Sequence, residues 1–178
     1  FLNELNKRMR FKQHLGLDTS PTAIQHAQKY GDHYQLIDFN DFSHLSGNHL
    51  IFLMEVIEHI EDDLNFLTNL IDNMDTGSHL LVGVPALRVL YSKWDSVLGH
   101  FRRHTKQSLV DLLTNAGASV EYIKFGYSYV VPIAYLQRVV LKFDFHENNC
   151  EYPKVSPMLS KFLMICNQFE VFSSKFIN

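Results

Sequence analysis

The chain has 178 residues, of which 46% are hydrophobic and 20% charged. That length and balance describe a globular domain with a real core. A net charge of −3 argues against a nucleic-acid platform driven by bulk charge. No apolar run reaches a membrane span, and two distant cysteines, Cys150 and Cys166, read as reduced thiols of a cytoplasmic protein.

Leu2, Leu5 and Met9 fall at helical spacing and predict a helix over 1–9. "QHLGLD" (13–18) reads as a short strand. A helix follows, with Ser20 as its cap and Pro21 in its first turn. Ala23, Ile24 and Ala27 form its inner face, and Gly31 ends it. "YQLIDF" (34–39) is the next strand, and "NHLIFLM" (48–54) is apolar enough for burial on both faces. A helix over 61–74 carries Leu64, Leu67, Leu70, Ile71 and Met74 as its stripe. "DTGS" (75–78) is a turn before the strand 79–86. Thr105 caps a helix with Leu109, Leu112, Leu113 and Ala116 inside, and Gly117 stops it. "SVEYIKF" (119–125) alternates like a half-exposed strand. "YLQRVVLKF" and "MLSKFLMICNQFEVF" read as amphipathic helices joined through Pro153 and Pro157.

This alternation implies an α/β fold: a doubly wound, mostly parallel sheet with helices on both faces. Ligands of such sheets lie beyond the carboxyl ends of the strands. Four strand ends carry polar residues there. Asp18 suits ribose hydroxyls, or simply caps the next helix. Asp38 reads alone as a loop aspartate. Beyond Met54, Glu55 is followed at i+3 and i+4 by Glu58 and His59, which share a face if the segment coils. Two carboxylates and an imidazole suit acid/base work or a divalent cation. Glu61, Asp62 and Asp63 belong instead to a helix start, where the dipole favours acids. The loop "VPALRVLYSKWDSVLGHFRRHT" (84–105) holds Trp94, His100, Arg102, Arg103 and His104. Arginine forks there bind anions, whereas Arg103 and His104 taken singly read as a solvated basic turn.

"GLDTSPTAIQHA", "LIFLMEVIEHIEDDLNFLTNL" and "TGSHLLVGVPA" resemble successive segments of class I S-adenosylmethionine-dependent methyltransferases, with Ser78 where a second turn glycine is usual. "SKWDSVLGHFRRHTKQSLVDLLTNAGASV" is similar to their type 11/12 group, akin to ubiquinone-biosynthesis O-methyltransferases. The resemblance covers residues 1–140 and implies a Rossmann-like fold. It implies that Asp18 holds the ribose of S-adenosylmethionine, with Thr19 and Ser20 beside it. Asp38 would accept from the adenine amino group, and the backbone of Phe39 would approach the ring. Met54 and Glu55 would lie near the methionine part. His59, with Glu58, would remove the acceptor's proton. His100 and Arg102 would face the substrate, Arg102 toward an anionic group.

Some relatives carry E-x-x-E-H and bind a divalent ion there. Glu55, Glu58 and His59 match that pattern, with His100 as a further ligand, and the ion would be magnesium or manganese. Many relatives with "EVxEH" need no metal. The acceptor implied is a small molecule or a glycan-type or lipid-linked compound; the residues leave oxygen, nitrogen and carbon open as the methylated atom, and the resemblance leans to oxygen. The glycine-rich loop and the last strand of such enzymes are not seen, so the chain reads as truncated at both ends, binding the cosubstrate weakly or not at all and inactive by itself. Residues 1–126 read as a partial Rossmann-like domain and 127–178 as its helical insertion. That insertion's apolar residues (Val139, Leu141, Phe143, Phe162, Leu163, Phe169, Phe172) pack on the sheet, cover the pocket or join two copies in a homodimer. A nicotinamide-dependent oxidoreductase of similar fold also explains Asp18, but not "EVIEH". A non-catalytic binding module is the third reading.

Overall fold

The computed structural model describes residues 2–9, 11–38, 41, 42, 45, 47, 49–141 and 156–173. Its contacts gather into two units, Phe1–Ser46 and Gly47–Asn178. In each unit a β–α–β passage lays two strands parallel. The architecture is α/β and Rossmann-like, as alternating apolar strands and amphipathic helices require.

The first unit holds α1 (Leu2–Met9), β1 (Gly16–Asp18), α2 (Pro21–Ala27) and β2 (Tyr34–Leu36). Gly16 lies opposite Tyr34, and Asp18 opposite Leu36. The Ser20 hydroxyl accepts from the Ala23 amide at 3.3 Å, which satisfies one of the open donors of α2. Ile24 is the buried residue of that helix, as its inner face requires. Both strands are shorter than the sequence suggests. Pairing begins only where the Gly16 amide donates to the His33 carbonyl at 2.8 Å, so residues 13–15 gain no ladder among the described residues.

The second unit starts with β3 (Leu50–Met54), α3 (Asp63–Asp72) and β4 (His79–Gly83). The strands pair from Leu50 opposite His79 to Met54 opposite Gly83. The turn between α3 and β4 needs Gly77 at φ 96°. Ser78 has a task of its own: its hydroxyl accepts from the His49 amide at 3.1 Å and fastens the start of β3. The stripe of α3 differs from the expected one. Leu64 is 41% exposed, whereas Phe66 is 7% exposed. The helix begins at Asp63, and the inward series is 63, 66, 67 and 70. That phase also turns Asp63 inward, where Arg102 meets it.

The loop after β4 is not a plain rim. It contains α4 (Lys93–Val97), and α5 (Lys106–Asn115) follows. Thr105 and Ser108 cap α5 reciprocally, and Gly117 ends it at φ 96°. Helices α3 and α5 pack together, and Phe66, Leu67, Leu70, Leu109 and Ala116 are buried with Ile57, Ile60 and Leu90. Residues 119–125 form no strand. Their alternation fits a pleated surface, but no neighbour offers them a ladder among the described residues.

Farther on, α6 (Val131–Tyr135) runs into a π-type turn over Leu136–Val140. This helical stretch starts earlier than 135; Phe143, Cys150 and Pro153 lie outside the described residues. Helix α7 (Pro157–Ser173) opens on Ser156, whose hydroxyl accepts from the Leu159 amide at 3.2 Å. Phe162, Phe169 and Phe172 are exposed on it. Among the described residues, no helix is long and apolar enough to cross a membrane.

Candidate functional site

Strand β3 ends at Met54, and the next residue turns over. Glu55 has φ 55°, a left-handed conformation rare outside glycine, and its amide donates to the Gly83 carbonyl at 2.9 Å. A 3₁₀ turn over Ile57–His59 follows. Its Ile57 and Glu58 are both 0% exposed. Neither carboxylate oxygen of Glu58 has a hydrogen-bond partner among the described residues. Burial raises the Glu58 pKa from 4.5 to about 7, the neighbouring Glu55 carboxylate adds to the rise, and Arg103 opposes it. This is a carboxyl group able to gain or lose a proton near neutral pH.

Two imidazoles stand beside it. The rings of His59 and His100 meet edge-on, with centroids 4.6 Å apart and planes at 81°. One ligating atom from each of Glu58, His59 and His100 lies within 4.8 Å of the other two. Glu55 is exposed and is not part of that trio. The structure therefore gathers three of the four residues that the sequence pattern suggests.

The loop over 84–105 is organised by a residue to which the sequence assigned no role. Asp95, in α4, is 0% exposed. Its Oδ1 accepts from Arg103 Nε at 2.7 Å and faces His100 Nδ1 at 3.2 Å. Its Oδ2 accepts from the Ser92 amide at 2.9 Å and from Arg138 at 3.3 Å. Burial alone would raise its pKa, but the Arg103 hydrogen bond, the Ser92 amide and the Arg103 charge hold it below the usual range. Asp95 is the aspartate of the D…GH.RR loop pattern, but that pattern gave it no role, and its five-residue spacing to His100 is not a helical one.

Arg103 and His104 are therefore not a solvated turn. Arg103 also donates to the Ala86 carbonyl at 3.0 Å. His104 is 5% exposed, and its amide donates to the Pro85 carbonyl at 3.0 Å, so it is drawn in beside the end of β4. Burial lowers its pKa. Arg102 pairs with the Asp63 carboxylate and also donates to the Glu61 carbonyl. Asp62 caps α3, accepting from the Asn65 amide at 3.1 Å, as an acid at a helix start should.

In the first unit, Asp18 and Asp38 stand at the carboxyl ends of adjacent strands, and the Ile37 amide donates to the Asp18 carbonyl at 3.1 Å. Asp18 Oδ1 accepts from the Ser20 amide at 2.8 Å, a turn ahead of α2, whose cap is Ser20 and not Asp18. Asp18 also lines a hollow of ≈ 230 Å³ with Gly16, Leu17, Ala23, Ile24, Ala27 and Tyr34. Thr19 and Asp38 are exposed, and Phe39 lies outside the described residues.

No protein-family model and no curated protein matches the sequence. Among solved structures, a chain from the complex between the Haloferax volcanii Trm112 methyltransferase activator and a provisionally named methyltransferase is similar. The match covers 68% of this chain at 21% identity, with a TM-score of 0.59. The fold is methyltransferase-like. The match spans 57% of the length of that neighbour.

Glu58, His59 and His100 are the residues that could hold a divalent cation. Glu58 offers a buried carboxylate without a hydrogen-bond partner among the described residues, and His59 and His100 offer nitrogens within reach. A set of two imidazoles and one carboxylate suits manganese better than magnesium, which prefers oxygen.

Proposed function

We propose that the protein is an S-adenosylmethionine-dependent methyltransferase of the type 11/12 group, acting on a hydroxyl of a small-molecule, glycan-type or lipid-linked acceptor. The observation that carries this reading is Glu58: a fully buried carboxyl group just past the end of β3, without a hydrogen-bond partner among the described residues and beside two imidazoles. The methyltransferase-like fold supports it.

Bound S-adenosylmethionine supplies an electrophilic methyl group on a sulfonium. The chain's residues must align the acceptor oxygen and remove its proton. Glu58 is fitted to receive that proton, because its ionised form is costly where it lies. His59, exposed at the same turn, is the relay to solvent. Asp18, Thr19, Ser20 and Asp38 are assigned to the nucleoside, and Met54 and Glu55 to the methionine part. In the second form of this reading a divalent cation held by Glu58, His59 and His100 would replace that base: Glu58 would then be its ionised ligand, and the cation would lower the acceptor hydroxyl's pKa.

The test is calorimetric titration of the intact protein with S-adenosylmethionine and, separately, with NADH. Binding of S-adenosylmethionine alone is expected. Binding of NADH alone would establish the oxidoreductase instead. Electron paramagnetic resonance with added manganese tests the cation: binding in the wild type and its loss in H100Q are expected, and no binding in the wild type would exclude the site.

A further inference from the structure

We infer that Asp95 is the positioning residue for His100, fixing which ring nitrogen carries the proton. This rests on the reading of Glu58, His59 and His100 as the reacting centre. An ionised carboxylate only accepts hydrogen bonds. Asp95 Oδ1 lies 3.2 Å from His100 Nδ1, so that nitrogen carries hydrogen in the neutral ring and in the charged ring alike. Nε2 then keeps the lone pair of the neutral ring, and any proton taken up or ligand bond made goes through Nε2.

The carboxylate is itself immobilised from several elements. Arg103 ties it to the Ala86 carbonyl, and Arg138, from the turn after α6, ties it to the Leu90 carbonyl at 3.1 Å. The backbone closes the same loop: the His100 amide donates to the Asp95 carbonyl at 2.9 Å, and the Tyr91 hydroxyl to the His100 carbonyl at 2.8 Å. His59 stands edge-on to the ring. The imidazole is thus held by its Nδ1 side and by its own peptide. A carboxylate behind an imidazole is the general device for presenting one nitrogen to chemistry.

The experiment is a long-range proton–nitrogen correlation spectrum of the intact protein labelled with ¹⁵N-histidine. It is recorded at alkaline pH without metal or cosubstrate, with H100Q to assign the signal. His100 is expected as the Nδ1-protonated tautomer. In D95N the Nε2-protonated form gains population, and manganese affinity falls about 10–100-fold. An Nε2-protonated His100 in the wild type, or an unchanged His100 pattern in folded D95N, would overturn the inference. If D95N does not fold, the wild-type spectrum alone decides. The spectrum needs no methyl transfer, so failure to bind S-adenosylmethionine would remove the proposed function and leave the tautomer standing.

Discussion

The Phe101 amide donates to the Glu58 carbonyl at 2.8 Å. That single bond joins the loop carrying His100 to the turn carrying Glu58. One residue later, Arg102 reaches the Asp63 carboxylate and the Glu61 carbonyl, so the loop is fixed to the start of α3 as well. The two contacts set the register between imidazole and carboxylate, although 42 residues separate Glu58 from His100 in the sequence.

The Arg102–Asp63 pair makes a testable statement about Arg102. Its side chain is 32% exposed, so solvent screens the pair and its coupling is about 0.5–1 kcal/mol. R102A and D63N should each lower stability, and the double variant should lose less than the sum. Strict additivity in a denaturant double-mutant cycle would show instead that Arg102 acts without Asp63, as an arginine reserved for substrate would.

Glu58 predicts a trade between stability and chemistry. Its folded pKa is raised from 4.5 to about 7, so over that window the folded chain keeps a proton that the unfolded chain has lost. The associated stability is present below pH 4.5 and is lost as pH rises to about 7. E58Q removes the ionisation, so above pH 7 it should be more stable than the wild type, and below pH 4.5 the two should converge. Denaturant curves at both pH values check this. A gap that does not change with pH would contradict it.

His104 predicts the opposite slope. Burial lowers its folded pKa from 6.5, so on acidification the unfolded chain takes up its proton first. Stability from this group is complete above pH 6.5 and declines below it. H104F, which also removes a buried nitrogen without a hydrogen-bond partner among the described residues, should lose less stability on acidification than the wild type. Thermal melts of both proteins at neutral and mildly acid pH decide this.

These contrasts mark how much was legible in the sequence. Local chemistry was: Ser20 and Pro21 start α2, Thr105 starts α5, Gly117 stops it, and Asp62 caps α3. The turn carrying Glu58 and His59 was found because it follows an apolar strand. What periodicity did not encode is partnership at a distance. Residues 119–125 alternate like a strand but find no neighbour among the described residues. Asp95 lies in a loop where three different elements meet it, and no spacing rule signals that. Arg103 and His104 looked solvated because the carboxylate and strand end that bury them come from elsewhere in the chain.

Gly83 tests the methionine side of the proposed pocket. A Cβ there would stand 2.6 Å from Met54 Cε and 3.0 Å from its Sδ. The far end of a methionine moves readily, so G83A should cost about 1 kcal/mol or less. It should nonetheless weaken S-adenosylmethionine binding, because Met54 is displaced. Unchanged affinity in calorimetry would take Met54 out of the cosubstrate site.

The most direct measurement of the central claim is methyl transfer itself. Intact wild-type protein and E58Q are incubated with methyl-labelled S-adenosylmethionine, added manganese and an extract of small molecules and glycolipids. Label is expected to enter one acceptor fraction with the wild type, and E58Q should transfer it about 10²–10⁴-fold more slowly. Transfer by E58Q at the wild-type rate would contradict the account, as would no transfer by the wild type.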